Sequence, residues 1–334
     1  MKAIVLKSFG SADNFVEVEL PIPQVGKGEI RIKIKAISFN PVDYQIRKGQ
    51  PEGRPAGSMV LGRDLSGIVD AVHEGITDFR VGDEVFSYVC NLASSGTYVE
   101  YVSVPVELVA RKPARLTHAQ AAAVPVAGIT ASIALSKVGA GNSTSVFIAG
   151  GAGGVGTFAI MLARQLGVQS LITTTGNLKS RAYLIEQCGL NDNQIIDYRT
   201  DDFIERAMKQ NGGVFNIALD FVGGRMLSAC CSLLAVDGNL ASITEAPRYD
   251  DFEILFQKNA SFHSVGAHAY SLTKDRMVWQ KYRQMLEHLA HFFDRGTLTP
   301  PPITIVGNLS LQTVKQAHAL LENNAVQGKL VMTC

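Results

Sequence analysis

Residues 145–156 read SVFIAGGAGGVG, an apolar run that breaks into a glycine turn and opens onto the helical pattern VGTFAIMLARQLG. Gly151, Gly153 and Gly156 satisfy G-x-G-x-x-G, with Gly154 and Val155 between the last two. Between a strand and a helix, the first glycine makes the tight turn. The second lets the backbone approach a pyrophosphate, and the third lets helix pack on strand. The helix start then offers unpaired N–H groups and a partial positive charge to phosphate. The stretch predicts a dinucleotide-binding site.

Working outward, apolar strands alternate with helical patterns. SLITTT (170–175), QIID (194–197), VFNIALD (214–220), NLASIT (239–244) and SFHSVGA (261–267) follow SVFIA, giving six short strands joined by helices. This is the βαβ grammar of a doubly wound parallel sheet. Upstream, EIRIKIKAI, SGIVDAV, DEVFSYV and YVEYVSV are short alternating runs punctuated by Gly, Pro, Asp and Asn. They predict an antiparallel, barrel-like β-rich domain. Downstream of about residue 268 come a long helix, a proline step at Pro300–Pro302, a second helix and the strand KLVMT. These are expected to return to the first domain. The expected organisation is therefore an α/β chain, with 1–120 and 269–334 forming a catalytic domain and 121–268 a dinucleotide-binding domain.

Composition narrows the function. The 334 residues are 46% hydrophobic and 18% charged, with net charge +1. That is an ordinary globular balance, long enough for two cores. No Lys/Arg block favours nucleic acid or an anionic membrane, and no apolar run reaches the roughly 18 residues of a membrane helix. MKAIVLKSFG lacks the pattern of a signal peptide. Cys90, Cys188, Cys230, Cys231 and Cys334 show no C-x-x-C spacing. They suit free thiols in a reducing cytoplasm, with Cys230–Cys231 as core fillers. The seven histidines form no metal-ligand spacing.

The cofactor's ribose can be read at the second strand. An NAD-specific site places an acid near its end, about 20 residues past the glycines. Here the region is ITTTGNLKSR, with no acid. Thr174 and Thr175 can donate to a 2′-phosphate, Lys179 and Arg181 can neutralise it, and Tyr198 can pack beside the adenine ribose. NADPH is therefore expected over NADH.

A second stretch, SFNPVDYQIRKG (38–49), follows the strand EIRIKIKAI and gathers Asn40, Asp43, Tyr44, Gln45 and Arg47. Asp43 and Arg47 are expected to pair or to cap local backbone, and Arg63–Asp64 to form a domain-interface ion pair. Together with GRDLSG (62–67), VGDEVF (81–86), PVAGITASIAL (125–135), AGGAGGVG and AVQGKLVM, this stretch makes the whole chain resemble the zinc-independent quinone oxidoreductases (zeta-crystallin-like) of the medium-chain dehydrogenase/reductase superfamily.

The resemblance implies a GroES-like catalytic domain with an inserted Rossmann domain. It implies Thr130 beside the nicotinamide, and a homodimer is expected. Zinc-dependent relatives carry a cysteine near the position of Asn40 and a His-Glu pair where this chain has Arg63-Asp64. The cysteine and histidine are missing here, and no third ligand joins Asp43 and Asp64, so no metal is expected. The family's tyrosine stands two residues after the aspartate, whereas Tyr44 follows Asp43 directly, so its role carries over loosely.

Without zinc to polarise an isolated carbonyl, a quinone or other enone is the favoured acceptor, because conjugation shares the developing charge. Asn40 and Tyr44 are the expected donors to the enolate oxygen. Two other readings stand beside this one: an NADPH-binding structural or regulatory protein with vestigial activity, and a zinc alcohol dehydrogenase, disfavoured by the missing ligands.

Overall fold

The computed structural model describes residues 1–49, 59–323, 326 and 328–334; Ala325 and Gln327 of AVQGKLVM lie outside the described residues. The chain divides into two units, Met1–Ile129 with His268–Cys334, and Thr130–Ala267.

The first unit opens with β1 (Lys2–Leu6), β2 (Phe15–Glu19) and β3 (Glu29–Ser38), then the short helix α1 (Pro41–Arg47). β4 (Asp64–Val72), β5 (Glu84–Tyr88), β6 (Tyr101–Pro105), β7 (Val109–Arg111) and α2 (His118–Ala122) follow, and α3 (Pro125–Lys137) carries the chain from the first unit into the second at Thr130. β3 shows why the sequence pattern works. Ile30, Ile32, Ile34 and Ala36 all point inward and are buried, while Arg31, Lys33 and Lys35 alternate with them. Each fully buried Ile of this kind contributes about 1.5–3 kcal/mol.

The second unit alternates strand and helix: β8 (Ser145–Ala149), α4 (Gly154–Gln165), β9 (Ser170–Thr175), α5 (Leu178–Cys188), β10 (Ile195–Asp197) and α6 (Phe203–Asn211). It continues with β11 (Phe215–Asp220), α7 (Arg225–Leu233), β12 (Leu234–Ser242), α8 (Tyr249–Gln257) and β13 (Ser261–Ser264). All the ladders are parallel, in the order β10-β9-β8-β11-β12-β13. Val146 to Ala149 of β8 are wholly buried, as expected of a parallel strand covered on both faces. Cys230 and Cys231, on the buried side of α7, belong to the apolar core cluster of this unit.

The chain then supplies α9 (Arg276–Asp294), β14 (Ile303–Asn308), α10 (Leu311–Glu322) and β15 (Lys329–Thr333) to the first unit. Asp275 caps α9 by accepting from Met277 N–H, and Tyr282, Leu286, Leu289 and Phe293 form its buried stripe. β15 pairs β3 antiparallel, with Val331 opposite Ser38 and Met332 opposite Ile37. The resulting sheet runs β14-β15-β3-β4-β5-β7, with β6 also on β3. β3 is thus the hub, and its C-terminal end is flanked by β15 and β4.

Candidate functional site

In the second unit, the turn after β8 is made by Gly150, whose φ is +84°. The sequence reading gave that task to Gly151, which does something else. A Cβ on Gly151 would lie 2.1 Å from Thr173 Oγ1, so this glycine lets the loop close onto β9. A Cβ on Gly156 would lie 2.2 Å from Gly150 O, so helix and turn meet there. Gly153 differs from both. Its φ is an ordinary −78°, and an added Cβ would meet nothing nearer than Gly150 O at 3.4 Å.

Nothing in the chain therefore requires glycine at 153. Backbone approach by a pyrophosphate does, so the residues present fit a dinucleotide. Gly153 caps α4 without a side chain, which leaves the first-turn N–H groups of Gly154, Val155 and Gly156 outside the helical ladder.

Thr174 Oγ1 accepts from Gly150 N–H at 3.2 Å and ties the end of β9 to this loop. Its own hydroxyl hydrogen remains a donor. Thr175 Oγ donates to Asn177 O at 3.3 Å. Tyr198 covers Gly176, where a Cβ would come within 2.6 Å of the phenol oxygen. Lys179 is exposed in the first turn of α5.

Arg181, expected to neutralise a 2′-phosphate, is held by the protein itself. It donates to Asp192 Oδ1 at 2.7 Å, Asp192 O at 2.8 Å and Ile195 O at 2.9 Å, clamping α5 to the loop before β10. Arg225, which sequence reasoning missed, sits over the Tyr198 ring at 5.7 Å and donates to Tyr198 O. Thr130 is buried in α3.

In the first unit, Asn40 lies between the end of β3 and α1, and its backbone N–H donates to Asp43 Oδ2 at 2.8 Å. The Asn40 side chain is held at both ends. Nδ2 donates to Asp64 Oδ2 at 2.8 Å, and Oδ1 accepts from Lys329 Nζ at 2.5 Å. Lys329 also donates to Phe39 O at 3.2 Å and to Asp64 Oδ2 at 3.5 Å. Asp64 Oδ1 accepts from Val126 N–H, in the first turn of α3, at 2.8 Å.

All of these groups are buried. Burial pushes Asp64 up and Lys329 down, each toward its neutral form, and their mutual attraction opposes both shifts. Burial also pushes Asp43 up to about 7.

The expected pairings are corrected here. Asp64 pairs with Lys329 and Asn40 and not with Arg63. Asp43 takes the second of its two expected roles and caps local backbone at Asn40, while Arg47 turns to α10, donating to Glu322 Oε2 at 2.5 Å and to His318 Nδ1 at 3.3 Å. Because an arginine can only donate, His318 Nδ1 must accept. Nε2 then carries the proton toward the Tyr98 hydroxyl, 3.0 Å away. Burial and Arg47 hold His318 down at about 3, in keeping with a neutral ring.

The buried side-chain atoms without a hydrogen-bond partner among the described residues are Ser38 Oγ, Asp43 Oδ1, Arg63 Nη1 and Nη2, and Thr97 Oγ1. They belong to residues at the β3 end, α1, the start of β4 and the Gly62-contacting loop. Native interiors leave few such atoms.

Tyr44 lies on α1, directly after Asp43. It is half-buried, and Lys48 Nζ lies 5.6 Å from its ring. One further trio has only a structural reading. Ser66 Oγ donates to Val85 O and lies 2.8 Å from His118 Nδ1, and His118 Nε2 lies 3.2 Å from Glu84. Ser66 is wholly buried and pins α2 to the sheet. Among the described residues, no group of three or more His, Cys, Asp or Glu side chains is arranged to hold a metal ion.

Comparison with known proteins agrees with this architecture. The alcohol dehydrogenase GroES-like domain family matches residues 26–114, and the zinc-binding dehydrogenase family matches residues 190–332. The chain belongs to the medium-chain dehydrogenase/reductase superfamily. It is accordingly an oxidoreductase with a nicotinamide dinucleotide, NAD(P), as cofactor.

Among relatives of this oxidoreductase, a mitochondrial NAD(P)H oxidoreductase of Dictyostelium discoideum is 26% identical, with 99% of each chain covered. The 2-methylene-furan-3-one reductase of Solanum lycopersicum is 28% identical over 99% of this chain and 79% of that protein. The solved quinone oxidoreductase of Coxiella burnetii superposes with a TM-score of 0.81 at 29% identity, covering 100% of this chain and 99% of that one. No described helix is long and apolar enough to cross a membrane.

Proposed function

We propose that the chain is an NADPH-dependent reductase that passes hydride to a quinone or another α,β-unsaturated carbonyl without a metal ion. The observation that carries this reading is the Asn40 amide held between a buried ammonium and a buried carboxylate. Where zinc-dependent relatives place a cysteine and a His-Glu pair, this chain offers fixed hydrogen-bond donors and buried cations, Lys329 and Arg63. A bound reduced nicotinamide supplies hydride. As hydride adds to the β-carbon of the acceptor, the π electrons move to its oxygen, and a proton later completes the product.

The task of the chain is to meet that oxygen. Delocalisation over an enone or quinone lowers the charge to be stabilised, so donors such as Asn40 and Tyr44 suffice where an isolated ketone needs a Lewis acid. The names of the tomato and Coxiella proteins, a 2-methylene-furan-3-one reductase and a quinone oxidoreductase, support this acceptor class. For the cofactor, Gly151, Gly153, Gly154, Val155 and Gly156 would hold the pyrophosphate. Thr174, Thr175, Lys179 and Tyr198 would surround the phosphorylated ribose, and Thr130 would lie beside the nicotinamide.

A cytoplasmic homodimer is part of the proposal, supported by five unpaired cysteines for the compartment and checked by sedimentation for the assembly. The activity is tested by following NADPH absorbance across a panel of quinones, enones and simple aldehydes. Turnover confined to quinones and enones is expected. NADPH binding without turnover of any of them would leave a regulatory binder.

A further inference from the structure

The Asn40 amide is oriented by chemistry. Lys329 Nζ donates to the amide oxygen, and the amide NH2 donates to Asp64 Oδ2. One amide hydrogen goes to Asp64 Oδ2, and no hydrogen bond of the described residues uses the other. Lys329 itself has nothing left to give. Its three N–H groups are directed to Asn40 Oδ1, Phe39 O and Asp64 Oδ2.

The fold builds this contact from residues 289 positions apart. Val331 stands opposite Ser38 in the antiparallel β15–β3 ladder, so continuing the register two residues places Lys329 opposite Asn40. Asp64 stands opposite Ser38 on the other side of β3. The amide is therefore gripped from both neighbouring strands.

We propose that Lys329 is a positioning residue for the reduction: with Asp64 it clamps the Asn40 amide so that one N–H is presented to the substrate oxygen. This rests on the hydride-transfer reading above. The ammonium acts through Asn40. It fixes which end of the amide faces outward, and by drawing electron density to Oδ1 it strengthens the remaining N–H as a donor. Removing the ammonium frees the amide to rotate and present its oxygen, an acceptor, to a developing oxyanion.

The test compares wild type, Lys329→Met, Asn40→Ala and the double variant, with NADPH and 9,10-phenanthrenequinone. Lys329→Met should lower kcat about tenfold, a fraction of the loss seen for a fully engaged oxyanion donor, with KM and NADPH affinity within twofold. In the Asn40→Ala background, Lys329→Met should cost nothing more, because the lysine acts only through that amide. Lys329→Ala should regain kcat on addition of ethylammonium, which carries N–H donors, and not of tetramethylammonium, which has none.

Wild-type kcat in Lys329→Met, or a further loss of equal size in the double variant, would overturn the proposal. So would a loss confined to NADPH affinity or melting temperature with no rescue by ethylammonium. Selective 15N-asparagine labelling reads the clamp without turnover. The Asn40 side-chain signals, assigned by their absence in Asn40→Ala, should move in Lys329→Met, and unmoved signals would overturn the clamp. Wild type inert toward every quinone and enone defeats the reductase reading instead, and the two failures are thereby distinguished.

Discussion

Lys329 lies across the β15–β3 ladder from Asn40, and its ammonium donates to the amide oxygen at 2.5 Å. A buried lysine is costly unless each of its donors is met, and here each has an oxygen. Asp64 closes the other end of the same amide at 2.8 Å. The first unit thus carries a preorganised polar group, and the second carries a glycine loop that leaves room for a pyrophosphate.

That room gives a contrast between two glycines. Gly153→Ala should fold with a melting temperature close to wild type, since its Cβ would meet only Gly150 O at 3.4 Å, and Gly153→Val should lose NADPH binding outright. Gly156→Ala should lower the melting temperature by several degrees, because its Cβ would come within 2.2 Å of Gly150 O. Thermal melts with and without NADPH check both. Undiminished stabilisation of Gly153→Val by NADPH would remove the loop from the cofactor site.

Cofactor preference separates two basic residues. Lys179→Ala should weaken NADPH by about 1–3 kcal/mol while sparing NADH, as expected for a lost charged hydrogen bond to a 2′-phosphate. Arg181→Ala should leave the preference unchanged and lower stability, because the guanidinium is committed to Asp192 and Ile195. Dissociation constants of both cofactors for both variants decide this, and an equal loss of NADPH and NADH in Lys179→Ala would speak against it.

Asp43 should make stability depend on pH. Its carboxyl is pushed by burial from 3.8 to about 7, so between those values the folded chain binds a proton that the unfolded chain does not. This contribution is fully present below about pH 4 and is lost as pH rises through about 7. Asp43→Asn keeps an oxygen for the Asn40 N–H and removes the titration. The melting temperature of the variant relative to wild type should therefore rise between pH 5 and pH 8.5, and a flat difference would show that Asp43 does not titrate in this window.

Metal removal should leave the reaction intact. Exhaustive chelation is expected to preserve quinone or enone turnover, since the cluster around Asn40 offers an amide, an ammonium and carboxylates, not a three-ligand zinc set. Activity lost with chelator and restored by Zn2+ would return the chain to the zinc alcohol dehydrogenase reading.

The parts of this picture that were legible in sequence are the local ones. SVFIA and SLITTT are apolar strands because they lie inside a parallel sheet, and EIRIKIKAI alternates because β3 buries one face. The glycine spacing located the loop, although Gly150 and not Gly151 supplies the left-handed turn.

What sequence could not give are contacts chosen by tertiary packing. Asp43 caps the Asn40 N–H, one of its two expected roles, but Arg47, at the i, i+4 spacing of a helical pair, reaches Glu322 and His318 on α10. Lys329 reads as one more charge before the strand LVMT, because its partner lies in a ladder formed by the two ends of the chain. Tyr44 carries a family resemblance, and its ring lies 5.6 Å from Lys48 Nζ on the same helix end.

The most direct measurement is kcat for NADPH-dependent reduction of 9,10-phenanthrenequinone and a simple enone by chelated wild type, Asn40→Ala and Tyr44→Phe. Wild type should turn over both. Each variant should lose roughly tenfold in kcat with NADPH affinity unchanged, less than the 10²–10³ of a fully engaged oxyanion donor, because conjugation already spreads the charge. No wild-type turnover of either acceptor, or wild-type kcat in both variants, would contradict the account.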